Sequence, residues 1–391
     1  MQALIQNVEQ KFRELFNEEP MLVRSPGRIN LIGEHTDYNE GFVLPASIDR
    51  AIYFALSPRN DGQCRFFAND LNDEYQCRVD ELTKSGKGWP NYLCGVVDQI
   101  KKLGYAIPGF NCVFGGNIPI ASGLSSSAAI EAGLAYALNN MFHFHLNELS
   151  LVKIAQKAEN EFVGVQCGIM DQLINIYGRE RKVLKLDCRT LEHEYYPFER
   201  DDLQLVLCDT RVHRELAASE YNLRRLQCEA GVEALRKYDV NIRSLRDVNI
   251  DFLKAHQKEL SPVIYKRCKY VIEENERVLA ACQDLQREDY GTFGQRMFAS
   301  HAGLRDEYEV SCAELDVLVE KATKIDGVLG ARMMGAGFGG CTINLVQQAA
   351  LDNFYREMNR AYKDSMQRDL LFYPTQIEAG TSKINVQLIE A

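Results

Sequence analysis

FNCVFGGNIPIASGLSSSAA (Phe110–Ala129) is the stretch on which the reading of this chain turns. Phe110–Phe114 predicts a strand, Gly115–Ala129 a loop of small residues, and the alanine-rich run to about Asn140 a helix. That order matters chemically. Glycine and serine let backbone N–H groups approach a phosphate, the positive end of the following helix dipole favours the added negative charge, and serine hydroxyls can reach a magnesium ion. The same composition also suits a surface loop with serine caps. GxxxxGK[ST] occurs nowhere, which disfavours an ordinary P-loop kinase.

A second glycine cluster, RMMGAGFGGC (Arg332–Cys341), contains GxGxxG at Gly335, Gly337 and Gly340. A dinucleotide fingerprint opens a helix, whereas this one runs into Cys341–Val346, which alternates like a strand. It reads as a tight connection between strands, its glycines placed where a side chain would meet either another backbone or a ligand.

Nearer the N-terminus, between INLIG and FVLP, lie Arg28, Asn30, Glu34, His35, Thr36, Asp37, Tyr38 and Asn39. Carboxylate, imidazole and guanidinium together can read the donor and acceptor sides of sugar hydroxyls. A solvated turn is the alternative, since SPGR and DYNEG supply turn residues. A metal site on His35 and Asp37 lacks a second histidine at suitable spacing. Asp171, beside a glycine in CGIMDQL, is a candidate base or a helix cap.

Around these motifs the chain divides. Eight of ten prolines precede residue 200, among short β-prone stretches such as Ala51–Leu56 and Val183–Leu186. From about 213 to 290, long amphipathic segments (Glu215–Lys237, Ile264–Gln286) predict helices. With 391 residues, two domains are expected, 1–200 and 201–391, packed closely, with the tail free to return to the first.

Twelve cysteines are scattered singly from Cys64 to Cys341 without a CxxC pair, so reduced core residues are expected and a zinc site is not. The net charge of −10 argues against nucleic acid as a partner. No apolar run is long enough to span a bilayer, and MQALIQNVEQKFRELF is amphipathic rather than a secretory leader. The resulting expectation is a cytoplasmic protein that is a monomer.

Together, PGRINLIGEHTDYNEGFVLP (Pro26–Pro45), PIASGLSSSAA (Pro119–Ala129), AENEFVGVQCGIMDQ (Ala158–Gln172), HRELAASEYNLRRLQC (His213–Cys228) and RMMGAGFGGC resemble the galactokinases, a branch of the GHMP family of small-molecule kinases. The resemblance spans almost the whole chain. It implies an α+β fold: an N-terminal domain like ribosomal protein S5 domain 2 and a ferredoxin-like C-terminal domain with added helices. The implied reaction is ATP-dependent phosphorylation of the C1 hydroxyl of galactose, with Mg²⁺. Carried over by motif, Asp171 would take the hydroxyl proton and Arg28 would stabilise charge at the reacting oxygens. Glu34, His35, Asp37, Gly168 and Tyr221 would hold galactose. Ala121, Ser122, Gly123, Leu124, Ser125, Ser126 and Ser127 would wrap the phosphates, Ser127 and Glu159 would position magnesium, and Trp89 would lie near adenine.

Where the family often has RMTGGGFGGC, this chain has Met334 and Ala336, which puts a ligand role for position 334 in doubt. Kinases of N-acetylgalactosamine or arabinose, and non-catalytic galactose sensors of the same family, are the alternatives. The intact EHTDYN favours plain galactose, and the complete Gly123–Ala129 loop with Asp171 favours catalysis.

Overall fold

The structure, a computed structural model, describes residues 2–119, 123–212 and 217–385. The first half runs α1 (Gln2–Phe16), β1 (Met21–Asn30), β2 (Phe42–Val43), β3 (Pro45–Pro58), β4 (Gln63–Ala68), β5 (Asp73–Arg78), α2 (Pro90–Lys102) and β6 (Phe110–Gly116). It continues through α3 (Ser126–Met141), α4 (Glu148–Lys157), α5 (Met170–Tyr177), β7 (Lys182–Asp187) and β8 (His193–Pro197). The second half opens with β9 (Leu203–Asp209), α6 (Ala217–Arg236), α7 (Ile250–Ala255), α8 (Pro262–Gln286), α9 (Tyr290–Asp306) and α10 (Ala313–Ala322). It closes with β10 (Val328–Met333), β11 (Cys341–Gln347), α11 (Leu351–Met366), β12 (Leu371–Thr375) and β13 (Ser382–Lys383).

Six strands form the first sheet in the order β13-β1-β3-β6-β4-β5, with β4 and β6 parallel and the other pairs antiparallel. Both faces are covered, and Ala51–Leu56 shows why its run is apolar throughout. Ala51, Tyr53 and Ala55 face a layer made by Ile5, Val8 and Phe12 of α1, whereas Ile52, Phe54 and Leu56 face the main core under α2 to α5. Four antiparallel strands, β10-β11-β9-β12, make the second sheet, packed against α10 and α11 through Leu318, Phe354, Met358 and Tyr362. A small sheet, β2-β7-β8, lies beside them.

Two features join the halves. β13 pairs with β1, and Ile377 bridges to Ile48, so the tail that follows β12 lies on the first sheet. The main core also draws in Val278 and Ala281 of α8, Phe293 and Met297 of α9, and Met334 and Cys341 at the ends of the second glycine cluster. All twelve cysteines lie within the described residues and none is in a disulfide. No helix among the described residues is long and apolar enough to cross a membrane.

The second glycine cluster does connect two antiparallel strands, β10 and β11. At Gly337 the neighbour is backbone: φ is +85°, and an added Cβ would lie 2.1 Å from the carbonyl oxygen of Val310, whose own oxygen accepts the Phe338 N–H at 2.8 Å. Met334 is buried in the core, its N–H bonded to the Cys341 carbonyl at 3.0 Å, so the side chain at 334 fills volume rather than facing a ligand.

Gly337→Ala combines an αL alanine with a backbone collision and should destabilise the fold by about 2 kcal/mol or more in urea unfolding. A change within about 0.5 kcal/mol, the range of an ordinary surface substitution, would show that the close approach is absent.

Candidate active site

The site begins at an irregularity in β1. Its register against β3 shifts between Pro26 and Arg28, and the Arg28 N–H bonds the carbonyl of Leu124 at 3.2 Å, which ties the strand to the glycine-serine loop. The Arg28 guanidinium then forks onto Asp171 in the first turn of α5: Nε to Oδ1 at 2.7 Å and Nη2 to Oδ2 at 2.8 Å. Its Nη1 donates to the Gly123 carbonyl at 2.5 Å. Burial disfavours the Arg28 charge, but the carboxylates of Asp171, Glu34 and Asp37 outweigh it and hold the guanidinium pKa above its ordinary value. Ser125, at the start of α3 with φ of +58°, does not cap that helix; its hydroxyl donates to Asp171 Oδ2.

Opposite Asp171 stands the loop after β1. Glu34 accepts from the Gly335 N–H at 2.8 Å, from Arg332 Nη2 at 3.0 Å and from Asn30 Nδ2 at 3.1 Å. His35, at φ of +62°, has Nδ1 2.8 Å from the Tyr38 hydroxyl and Nε2 3.2 Å from the Ala336 carbonyl. Asp37 lies against Gly168, where an added Cβ would come within 1.9 Å of its Oδ2. Burial, and next the nearby Asp171 carboxylate, push the Asp37 pKa up to about 7. The Tyr221 ring of α6 stacks near His35 and Tyr38, with centroids 5.5 and 4.9 Å away.

These seven residues, Arg28, Glu34, His35, Asp37, Gly168, Asp171 and Tyr221, line one cavity of about 240 Å³. Gly164, Val165, Cys167, Met170, Asn222, Gly335 and Ala336 complete the wall. The sequence reading named none of these as ligand contacts. Gly335 and Ala336 were visible as part of a glycine motif, and Asn222 as the neighbour of Tyr221 within His213–Cys228, but an asparagine in a helix carries no signal of its own.

Gly123 to Ser127 flank the Arg28–Asp171 fork and lead into α3; Ala121 and Ser122 lie outside the described residues. Glu159 is buried, accepts from Gln172 Nε2 at 2.8 Å and from the Cys167 thiol at 3.4 Å, and has its pKa raised by burial and by Asp171. Behind it Glu131 of α3 is fully buried with neither carboxyl oxygen hydrogen-bonded, and its pKa is raised by burial and by Glu159. Carboxyl and hydroxyl oxygens without a neutralising partner fit a hard cation such as Mg²⁺. Among the described residues no three His, Cys, Asp or Glu side chains form a metal cage. Trp89 sits outside the cavity, half-buried, its Nε1 donating to Asp73 at 3.0 Å and its ring 5.6 Å from that of Phe114.

Residues 10–58 match the galactokinase galactose-binding signature, 91–179 the GHMP kinases N terminal domain and 281–364 the GHMP kinases C terminal domain. The chain is 42% identical over 378 residues to a galactokinase of Roseiflexus sp. (strain RS-1), covering 96% of each chain. The chain belongs to the galactokinase family. A galactokinase of Thermotoga maritima is 41% identical over 93% of this chain and its own whole length. Among solved structures, Lactococcus lactis galactokinase complexed with galactose superposes with a TM-score of 0.93 at 37% identity, covering 96% of this chain and 98% of that one. A mevalonate kinase of Methanococcus jannaschii, 18% identical with a TM-score of 0.64 over 92% of this chain and 98% of its own, shares the fold. The GHMP galactokinase fold, with its two domains and mixed helices and sheets, is therefore the architecture described above.

The raised Asp37 pKa has a thermodynamic consequence for folding. An unfolded aspartate titrates near 3.9, so between about pH 4 and 7 the folded state binds more protons and stability falls as pH rises. Asp37→Asn removes that titration. The unfolding free energy of the variant, measured in urea, should gain on the wild type as pH rises through this interval and level off above it; a flat or opposite trend would contradict the assignment.

Proposed function

We propose that this chain transfers the γ-phosphoryl group of ATP to the C1 hydroxyl of galactose, with Asp171 as the base and Arg28 as its anchor. The observation that carries the reading is the convergence of Arg28, Glu34, His35, Asp37, Gly168, Asp171 and Tyr221, drawn from distant segments, on one cavity of about 240 Å³ beside the glycine-serine loop.

An ionised carboxylate has about four lone-pair sites. At Asp171, Arg28 Nε, Arg28 Nη2 and the Ser125 hydroxyl occupy three, which leaves one for a substrate hydroxyl and fixes its direction. The C1 hydroxyl donates its proton there as its oxygen bonds to phosphorus and the bond to the ADP oxygen breaks. Arg28, buried beside that oxygen, offsets the negative charge that passes through the reacting oxygens. Glu34, His35, Asp37 and Tyr221, with the backbone of Gly168, orient the ring so that the hydroxyl is in line with the phosphorus, and holding that alignment is most of the catalytic contribution.

On the nucleotide side, Gly123 to Ser127 and the N-terminus of α3 supply N–H groups and hydroxyls for the phosphates. Ser127 and Glu159 would hold Mg²⁺, which supplies charge neutralisation at the β- and γ-phosphates. Trp89, its ring 5.6 Å from that of Phe114 in β6, would contact adenine. The reading extends to a cytoplasmic enzyme that works as a monomer on galactose and ATP.

The test is ADP release by purified protein with ATP and Mg²⁺ against galactose, arabinose, N-acetylgalactosamine and mevalonate. Turnover with galactose above the others is expected; silence with galactose but turnover elsewhere would overturn the substrate and keep the kinase. Asp171→Asn should lower galactose turnover by roughly 10²–10⁴-fold while ATP still binds. Near-normal turnover in that variant would remove Asp171 as the base.

A further inference from the structure

Three thiols meet where the edge of the first sheet reaches α2. Cys64 of β4 and Cys77 of β5 are directly opposed in the antiparallel ladder, and Cys94 of α2 brings its sulfur to 3.8 Å from that of Cys77. Cys64 and Cys94 are fully buried, whereas Cys77 is half-buried on the last strand of its sheet. A small solute can therefore reach Cys77 from water and neither of the other two. Cys77 is also the thiol best suited to react. Cys64 first and Cys94 next donate to its sulfur and hold it below the ordinary thiol range, while the same contacts, and burial, raise both donors. That favours the thiolate, the nucleophilic form. The other half-buried cysteines, Cys167, Cys188 and Cys312, are pushed up by burial.

Of the two neighbours, Cys94 is the better placed to bond to it. A disulfide needs Cβ atoms about 3.5–4.5 Å apart, and directly opposed residues of an antiparallel pair hold theirs at about 4.5–5.5 Å. β4 is paired on both sides, to β5 and to β6, so Cys64 cannot approach without disturbing two ladders. Cys94 lies on a helix outside any ladder, and closing its gap to Cys77 breaks no strand hydrogen bond.

We propose that Cys77 and Cys94 form a peroxide-reactive dithiol, with Cys77 as the attacking thiol and Cys94 as the resolving one, and that they close a reversible disulfide tying β5 to α2. The Cys77 sulfur attacks one oxygen of a hydroperoxide. The O–O bond breaks, the other oxygen leaves and takes a proton, and Cys77 becomes a sulfenic acid. The Cys94 sulfur then attacks the Cys77 sulfur, the S–O bond breaks, and the departing hydroxide takes the Cys94 proton as water. The sulfur pair has lost two electrons and the peroxide has gained them. A dithiol reductant reverses the step by becoming the disulfide itself, and Cys77 and Cys94 regain their hydrogens. The bond encloses residues 77–94, which include Trp89 at the start of α2. None of the three thiols lines the cavity that holds Asp171, so the proposal is independent of the sugar-kinase reading.

The test treats the full-length protein with hydrogen peroxide, blocks remaining thiols with iodoacetamide, and maps the digest by mass spectrometry. A peptide pair linked through Cys77 and Cys94 is expected, and dithiothreitol added before blocking should abolish it. In Cys94→Ser the same treatment should leave Cys77 as a sulfenic acid that dimedone captures; in Cys77→Ser the link should be absent. Oxidation of Cys167, Cys188 or Cys312 ahead of Cys77, a link from Cys77 to Cys64, or no link at all would overturn the proposal. The linked protein should also unfold at a higher urea concentration than the reduced one, because the bond removes freedom from the unfolded chain. A lower midpoint would show that the two sulfurs meet only by distorting the fold, and would overturn their placement as a built pair. Should a serine variant fail to fold, the wild-type peptide map decides alone.

Discussion

Arg332 holds the two halves of this enzyme together. It is fully buried at the end of β10, and its guanidinium reaches out of the second sheet to the Asn30 and Leu31 carbonyls at the end of β1 and to the carboxylate of Glu34, while Nη1 satisfies the carbonyl of its own neighbour, Met333. A buried ion pair adds little net stability by itself, because desolvation of both charges offsets their attraction; its cost appears when one partner is lost, at about 3–5 kcal/mol. That asymmetry makes it a registration device. Any displacement of β10 relative to β1 leaves a guanidinium and a carboxylate without partners in a place water cannot reach.

The rest of the pocket follows from that registration. With Glu34 fixed, the Gly335 N–H is drawn onto the same carboxylate, and the second glycine motif closes over the loop after β1. The long helix α8 braces the loop from behind: Tyr270 donates to the Glu34 carbonyl at 2.9 Å, Glu274 accepts the Gly33 N–H at 2.9 Å, and Asn275 accepts the Phe42 N–H at 2.8 Å. Backbone groups of a polar loop that would otherwise need water are thus satisfied by one helix. Glu274 is itself held by Ser300 and Arg277, so the brace is rigid.

Local pattern made the elements legible. The strand at Phe110, the helix after Ser126 and the amphipathic segments that became α6 and α8 each announce themselves by periodicity within a short window. The cluster from Arg28 to Asp37 was also legible, because so many hydroxyl-reading groups in one loop are unusual, and its assignment to a sugar drew on family resemblance. What periodicity could not show is pairing across the chain. Arg332 looks like the first residue of a glycine motif, Tyr308 like one more aromatic residue after a helix, and Asp171 like a cap; each acquires its role from a partner 143 to 298 positions away. Glycines are ambiguous for the same reason. The choice between backbone and ligand at Gly337 and Gly168 depends on what lies opposite, and at Gly337 that is a backbone carbonyl, at Gly168 the Asp37 side chain.

The three carboxylates of the pocket show how such a site can select a polyol with so few groups. Asp171 and Glu34 each accept three internal hydrogen bonds, so each retains about one lone-pair direction for a ligand, aimed by a guanidinium that cannot rotate away. Asp37 is held by less. The Tyr38 amide favours its ionised form, but burial and the Asp171 charge oppose it, and the carboxyl is left near its midpoint at neutral pH. A ligand hydroxyl that donated to Asp37 would offset the cost of that burial. Two saturated carboxylates therefore fix where hydroxyls must sit, and the unsaturated one makes a hydroxyl at the third position worth more than it would be in water. On the proposed reading, a sugar whose hydroxyl points away from Asp37 would leave that carboxyl buried and short of donors, and a penalty for the wrong epimer would arise there.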